Sequence, residues 1–348
     1  MRLSDFDYVL PDDRIAQEPA RQRDAARLMR LDRRTGARAH HRVADLPVLL
    51  APGDLVVVND TRVFPARLLG HRDPSGGAVE CLLIAPLGED RWDALVHPGQ
   101  KLKPGARAVF DRAGHRIRME VLARNFRGRR TVRLTVEGGF DVAEAIDAVG
   151  HVPLPPYIKR AVRPVDLERY QTIFAAVRGS VAAPTAGLHF TPRLLQELTA
   201  RGIEHRTITL HVGYGTFAPV RADDITAHEV APERYALSAE TADAINRARE
   251  ARRRIIAVGT TVTRALETVV RTGGDRLTPG NGVTNLSIYP GFEFRIIDGL
   301  LTNFHLPRSS LLLLVTAFAG RHEIMTAYAE AIRERYRFYS YGDTMLVL

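Results

Sequence analysis

Hydrophobic and polar positions along the chain follow two rhythms. In the first, residues 79–85, 106–110, 115–123 and 131–137 are short β-rich runs separated by Gly, Pro or Asp turns. In the third run Ile117, Met119 and Val121 face one way, and Arg116, Arg118 and Glu120 the other. In the fourth, Val132, Leu134 and Val136 oppose Thr131, Arg133, Thr135 and Glu137. A period of two sends the aliphatic residues inward and the bases to solvent. Arg124-Asn125-Phe126-Arg127-Gly128-Arg129 joins these two runs as a glycine-containing turn. This spacing predicts a small antiparallel barrel or sandwich. The stretch GHVPLPPYI (150–158) closes the region, because its prolines prevent regular structure and stiffen the connector.

The second rhythm is that of helices alternating with buried strands. Residues 55–58 are a short apolar run entering a polar turn, which predicts a buried strand. Further on, 191–201 predicts a helix with Thr191 as N-cap, Pro192 in the first turn, a stripe of Leu194, Leu195 and Leu198, and Gly202 as stop. A strand follows at 207–212, a helix at 239–254 with an arginine-rich end that suits its dipole, a strand at 255–258 and a helix at 263–271. Helices at 310–319 and 323–335 and a strand at 345–348 complete the pattern. Alternation of this kind predicts a layered α/β main domain with a largely parallel sheet. The expected division is a discontinuous main domain, 1–62 with 153–348, into which a small β-barrel domain, 63–152, is inserted.

Composition narrows the function classes. The chain has 348 residues, 45% of them hydrophobic, enough for two or three domains. The start meets acid early and has no apolar h-region, so no signal peptide is expected. The apolar run 311–320 is about half of what a membrane span needs, and a cytoplasmic location is expected. Cys81 is the only cysteine, which excludes an intrachain disulfide, a CxxC site and an iron–sulfur cluster ligated by the chain. Net charge is +9, and residues 101–133 carry eleven Lys/Arg against Asp111 and Glu120, so that one segment accounts for the excess. Either it is a solvated strand face or it meets a polyanion.

In α/β sheets ligands bind where strands run out into loops. Four polar stretches, besides the opening segment, are placed so: NDTR (59–62), HVGYGTF (211–217), VGTTVTR (258–264) and TNFHLP (302–307). The G-x-G-x-x-A in HVGYGTFA lacks the following helix of a dinucleotide site, since Pro219 comes next. Its glycines, Gly215 among them, let backbone approach a ligand, and Tyr214 and Phe217 are suited to stack on a base or face a cation. Thr260, Thr261 and Thr263 stand where hydroxyls cap a helix or where its free N–H groups hold a carboxylate or phosphate. GSVAAPTAGLHFT (179–191) is an uncharged, close-fitting stretch with Thr185, Gly187 and His189; the histidine is a proton-transfer candidate or a structural one. No HxH or HExxH spacing joins His189, His211, His228 and His305, and no metal site is expected. Asp60 and Arg62 point to one side, either as an ion pair or as ligand contacts.

Together these stretches are recognisable. DYVLPDDRIAQEP, VVNDTRVFPARL, GHVPLPPYI, GSVAAPTAGLHFT, TLHVGYGTFAPV, VGTTVTRALE, LLTNFHLPRSSLLLLVTAFAG and YRFYSYGDTML occur in that order. The chain resembles the S-adenosylmethionine:tRNA ribosyltransferase-isomerases of queuosine biosynthesis over nearly its whole length. One departure is Ala231, which stands where that family commonly has the second histidine of an H-x-M-H-x-E pattern; His228 and Glu233 are kept, and an essential role for the second histidine is in doubt here.

The resemblance implies an α/β domain with an inserted β-barrel. It implies that S-adenosylmethionine is a ribosyl-donating co-substrate and that no prosthetic group is needed. The acceptor is 7-aminomethyl-7-deazaguanine at the wobble position in the anticodon arm of tRNA, and the products are epoxyqueuosine-tRNA, adenine and methionine. For that chemistry His189, Asp60 and His305 are the candidates for proton transfer. Tyr214, Phe217 and Tyr341 would flank the sulfonium or a base. Arg264 and the helix start at Thr261 would hold the methionine carboxylate, with Thr185, Gly187 and Gly215 lining the donor's site. Arg116, Arg118, Arg124, Arg127, Arg129, Arg130 and Arg133 would meet tRNA phosphates. A monomer is expected. The competing readings are a metal-dependent hydrolase and a non-catalytic tRNA-binding protein.

Overall fold

Val56, Val57 and Val58 are buried on both sides of one strand, Leu55–Asn59, and this strand is the centre of the molecule. The computed structural model describes the chain except residues 218, 219, 221 and 275 and the side chains of residues 127, 216 and 217. Around the central strand a nine-stranded sheet is built. Glu204–Leu210 pairs with it in parallel on one side and Ile255–Val258 on the other, and Gly299–Asn303 continues the parallel run beyond Ile255–Val258. Such strands are apolar on both faces because helices cover both. Val56, Val58, Ile256 and Val258 pack with Leu194 and Leu198 of the helix Pro192–Ala200. Leu55, Val57, Ile255 and Ala257 pack on the opposite side with helices Ala239–Glu250, Thr260–Gly273 and Ser310–Ala319.

The expected layered α/β domain is therefore present, but its sheet is mixed rather than largely parallel. Glu233–Leu237 and Gly280–Thr284 add antiparallel strands at one margin. At the other, Thr344–Val347 runs antiparallel to Gly299–Asn303, and Arg27–Leu31 and Arg38–Arg42 follow. The pairing of Asn303 with Thr344 brings residues 339–343 to the same sheet edge at which the four central strands end. Helix starts follow the caps. The hydroxyls of Thr191, Ser238 and Ser309 accept from Leu194, Thr241 and Leu312 N–H groups. The helix expected at 263–271 instead begins at Thr260, because its N-cap is Gly259 at φ +92°, a conformation that favours glycine.

Six strands between Arg67–Asp73 and Arg129–Val136 close into an antiparallel barrel. Leu68, Cys81, Leu83, Phe110, Ile117, Met119, Val132 and Leu134 fill it, and Ile146 and Val149 of the helix Val142–Val149 pack onto that core.

The alternation of the arginine-rich hairpin is as the pattern predicts, with one correction. Arg130 points inward, only 3% exposed, because it has the parity of Val132 and Leu134. Its guanidinium donates to the carbonyls of Leu102 (3.2 Å), Gly128 (2.9 Å), Arg129 (3.0 Å) and Gly99 (2.9 Å), so it ties two loops to the barrel and is not a phosphate contact. Several exposed arginines are paired as well: Arg116 with Asp111 (2.6 Å), Arg118 with Glu137, Arg129 with Asp93 and Arg133 with Glu120 (3.6 Å). Arg124 is exposed, and the Arg127 side chain lies outside the described residues. Removing Arg130 leaves buried carbonyls without a charged donor. Arg130→Ala is expected to destabilise the barrel by about 2–3 kcal/mol in urea unfolding followed by Trp92 fluorescence, whereas Arg133→Ala changes it by no more than about 0.5 kcal/mol.

Candidate functional site

The four central strands run in one direction, so NDTR, HVGYGTF, VGTTVTR and TNFHLP all emerge at one end of the sheet. Chain order reverses between Leu55–Asn59 and Ile255–Val258, with Glu204–Leu210 on the first strand's other side. A crevice forms at such a switch point. The buried Asn59 side chain secures it: its amide donates to the Leu210 carbonyl (2.9 Å), and its carbonyl accepts from the N–H groups of Leu210 (3.1 Å) and Thr61 (3.0 Å). Thr61 then starts a short ribbon, Thr61–Val63, paired with Val177–Ser180, which leads into the uncharged stretch. That stretch lies against HVGYGTF through Val181 N–H to Val212 C=O (3.1 Å) and Val212 N–H to Ser180 Oγ (2.7 Å).

A cavity of about 40 Å³ opens there, lined by Ala183–Ala186, Val212, Gly259–Thr261, Thr302, Asn303, His305, Tyr339 and Ser340 among others. That is room for a few waters, so a nucleoside-sized ligand requires the walls to part. The start of the helix Thr260–Gly273 faces this space, and no side chain caps it. Its first N–H groups and its dipole favour an anion. Two buried polar atoms on the wall, Thr261 Oγ1 and Asn303 Oδ1, have no hydrogen-bond partner among the described residues. Orphans of this kind are uncommon in folded proteins and mark a place that a polar ligand can satisfy.

His305 and His189 reach this region from two sides. His305 Nε2 lies 2.9 Å from the Thr302 hydroxyl, its backbone N–H donates to the Tyr328 hydroxyl (3.0 Å), and its backbone carbonyl accepts from the Tyr8 hydroxyl of the opening segment. Burial lowers its pKa to about 3. The amide of Asn303 approaches His189 Nε2 at 3.2 Å, so that nitrogen is the acceptor. Burial, then nearby Arg337, lowers the His189 pKa to about 4. Both imidazoles are neutral at pH 7. His189 itself lines a smaller hollow on the far side of Ser340, with Arg23, Arg169 and Tyr341.

Other expected members are placed differently. Tyr341 donates to Asp166 (3.0 Å), a buried carboxylate that Arg160 grips with two hydrogen bonds. It is turned away from the sheet-end cavity, and Tyr339 takes the aromatic position there. Tyr339 adopts φ +73°, uncommon for a bulky residue, and stands edge-on to Tyr157 with centroids 3.9 Å apart.

Arg264 is 5% exposed and lies 2.8 Å from Glu233, whose other oxygen accepts from the Gly213 N–H (2.9 Å). The pair lies beneath the HVGYGTF turn, and Arg264 Nε and Nη2 make no hydrogen bond among the described residues. Asp60 accepts from the Thr209 hydroxyl (2.7 Å), and among the described residues it makes no ion pair with Arg62. Tyr214 faces a second, larger cleft beside the barrel. Gly215 packs so tightly that an added Cβ would meet the Ala231 Cβ at 2.8 Å, which places the residue at the departed histidine position against this turn. Gly187 lies against Thr172. The Phe217 side chain is outside the described residues. Among those described, no three His, Cys, Asp or Glu side chains converge to hold a metal ion.

Sequence reasoning missed Asn303, Thr302, Ser340 and Tyr339. The first two lay in a stretch already singled out, behind its more conspicuous histidine. Nothing local distinguished Tyr339 from Tyr341.

These features define a class: an α/β protein with a polar crevice at the carboxyl end of a mixed sheet and a β-barrel standing beside that end. The chain belongs, within that class, to the queuosine biosynthesis protein family, whose model matches residues 3–347. A relative from Heliobacterium modesticaldum, named S-adenosylmethionine:tRNA ribosyltransferase-isomerase, is 50% identical over 348 residues, all of both chains. One of the same name from Symbiobacterium thermophilum is 51% identical over 348 residues, again all of both. The crystal structure of S-adenosylmethionine tRNA ribosyltransferase from Thermotoga maritima is similar with a TM-score of 0.56 and 38% identity, covering 99% of this chain and 100% of that one.

The two neutral histidines make stability depend on pH. The unfolded chain protonates them near pH 6.5, whereas the folded chain resists to about 4 at His189 and about 3 at His305. Their contribution is full above about pH 6.5 and is lost as pH falls towards those values. The melting temperature is expected to fall between pH 7 and 5, and less steeply in His189→Asn and His305→Asn; parallel curves for the variants would contradict it.

Proposed function

We propose that this protein transfers and isomerises the ribosyl moiety of S-adenosylmethionine onto 7-aminomethyl-7-deazaguanine at the tRNA wobble position, releasing adenine and methionine. Relatives of about half identity over the full length carry the name of that activity. The observation that carries the reading is the convergence of the polar stretches on one sheet end, beside a helix start with unpaired polar atoms. The names of the relatives lend nothing to the metal-dependent hydrolase or the non-catalytic binding protein. We further propose the division into 1–62 with 153–348 and an inserted 63–152, a cytoplasmic monomer, and no prosthetic group. No helix among the described residues is long and apolar enough to cross a membrane.

The roles of the residues follow from their surroundings. The donor's methionine carboxylate would accept from the first N–H groups of the helix Thr260–Gly273 and from the Thr261 hydroxyl, with Thr185 nearby. Tyr339 would present its ring to the sulfonium, since a cation is attracted to an aromatic face. The sulfonium acidifies the adjacent 5′ C–H. A neutral imidazole, His305 or His189, would take that proton. Because burial makes both imidazoles weak bases, their protonated forms are strong acids, fit to hand the proton to departing adenine. The acceptor amine, with a pKa of about 10 by analogy with lysine, must also lose a proton before it attacks. Asp60 stands at the strand end as a candidate, its carboxylate already oriented by Thr209.

Three measurements test this. Adenine release from S-adenosylmethionine should require tRNA carrying the aminomethyl base; release without it, or none with it, contradicts the reading. Thr261→Val should weaken S-adenosylmethionine binding about tenfold, the loss of one charge-assisted hydrogen bond, with tRNA binding unchanged. Phosphates would have to displace the carboxylates that pair with Arg116, Arg118, Arg129 and Arg133. Each phosphate contact removed, as in Arg124→Glu or Arg133→Glu, should reduce the salt slope of tRNA affinity by about 0.7–0.9; an unchanged slope assigns these side chains to solubility alone.

A further inference from the structure

A second open space, larger than the cavity at the helix start, lies beside the barrel. A cleft of about 440 Å³ separates the outer wall of the barrel from the proline-rich connector, with Arg67, Glu80, Leu82, His97, Pro155 and Tyr214 among its lining. It adjoins the sheet-end cavity. Val181 lines the cleft and Ala183 the cavity, while Tyr214 lines the cleft and Val212 the cavity, and the two segments are joined by the Val181–Val212 hydrogen bond. The paired segments thus form a thin partition with a chamber on each side.

The barrel wall of this cleft is polar by design of its strand. In Ala78–Gly88, Cys81 and Leu83 point into the barrel core, and so Glu80 and Leu82 point out. Arg67 grips Glu80 with two hydrogen bonds of 2.8 Å. The strand register places Arg67 beside Leu82, Leu82 beside Leu95, and Leu95 beside Arg129. One transverse row therefore leads from the cleft to the start of the arginine-bearing hairpin strand.

We propose that this cleft receives the acceptor nucleobase, a guanine-like base turned out of its stack, and that Glu80 reads its N–H edge. The inference rests on the activity proposed above. A base that reacts must leave its stack and enter a pocket beside the donor. A guanine-type edge offers adjacent N–H donors, and a carboxylate is an acceptor-only group with about four lone-pair sites, of which Arg67 occupies two. Tyr214, 39% exposed on the opposite wall, offers a ring for stacking. The row to Arg129 would carry the flanking phosphates towards the barrel.

Two variants test the assignment. Leu82→Trp fills the cleft from outside the barrel core, and Glu80→Gln turns one of the two oxygens that accept from Arg67 into a donor while keeping size; the pair is part-exposed, so its loss costs little stability. Both are expected to raise the KM for tRNA bearing the aminomethyl base at least tenfold, with S-adenosylmethionine affinity and melting temperature unchanged. Wild-type KM in both variants overturns the cleft assignment and leaves the activity standing. Loss of S-adenosylmethionine binding in Leu82→Trp, with tRNA affinity kept, also overturns it, because the donor then occupies the cleft. If the unaltered protein releases no adenine in this assay, the activity and the cleft assignment fall together.

Discussion

The buried carboxamide of Asn59 is the constraint on which the site depends. With three hydrogen bonds it fastens the end of the central strand to the end of its neighbour and turns the chain into Thr61. Each bond is worth little net in water, but a buried amide left unpaired is costly, so the arrangement is close to all-or-none. From that point the ribbon Thr61–Val63 carries the chain towards the barrel, and its partner Val177–Ser180 brings the uncharged stretch back to the sheet end. The barrel and the loops therefore share one anchor.

The site is held from two sides. The helix start, Asn303 and the histidines are buried and held by the sheet. The Gly213–Phe217 turn is held from beneath by the buried Glu233–Arg264 pair, which fixes its first amide and leaves Tyr214 exposed. Replacing one member of such a pair alone would strand a buried charge, so the two act as a unit.

Much of this was legible in the sequence, and what was not has definite causes. The central strands announced themselves because burial on both faces demands unbroken apolar runs. The antiparallel margins, Glu233–Leu237 and Gly280–Thr284, did not, since their residues are half exposed and carry no clean period. Arg130 was decipherable: it shares the parity of Val132 and Leu134, and only its company of other arginines argued for solvent. Tyr341 and Tyr339 could not be told apart, because they lie in irregular backbone where neither period applies. Arg264 and Glu233 are far apart in the chain, and no local pattern reports a pairing made by the fold. The threonines of VGTTVTR were rightly placed at a helix start, but a glycine at positive φ took the cap and left the Thr261 hydroxyl free for other use.

Four of the barrel's outer arginines, Arg116, Arg118, Arg129 and Arg133, are already matched with carboxylates. A solitary mononucleotide gains almost nothing by prising one guanidinium from its acid, because one contact simply replaces another. A long, regularly spaced array of negative groups displaces several acids together and sheds its own condensed cations as it does so. On the tRNA reading proposed above, such a surface would grade ligands by linear charge density, ignoring the abundant small anions around it while remaining responsive to a polymer.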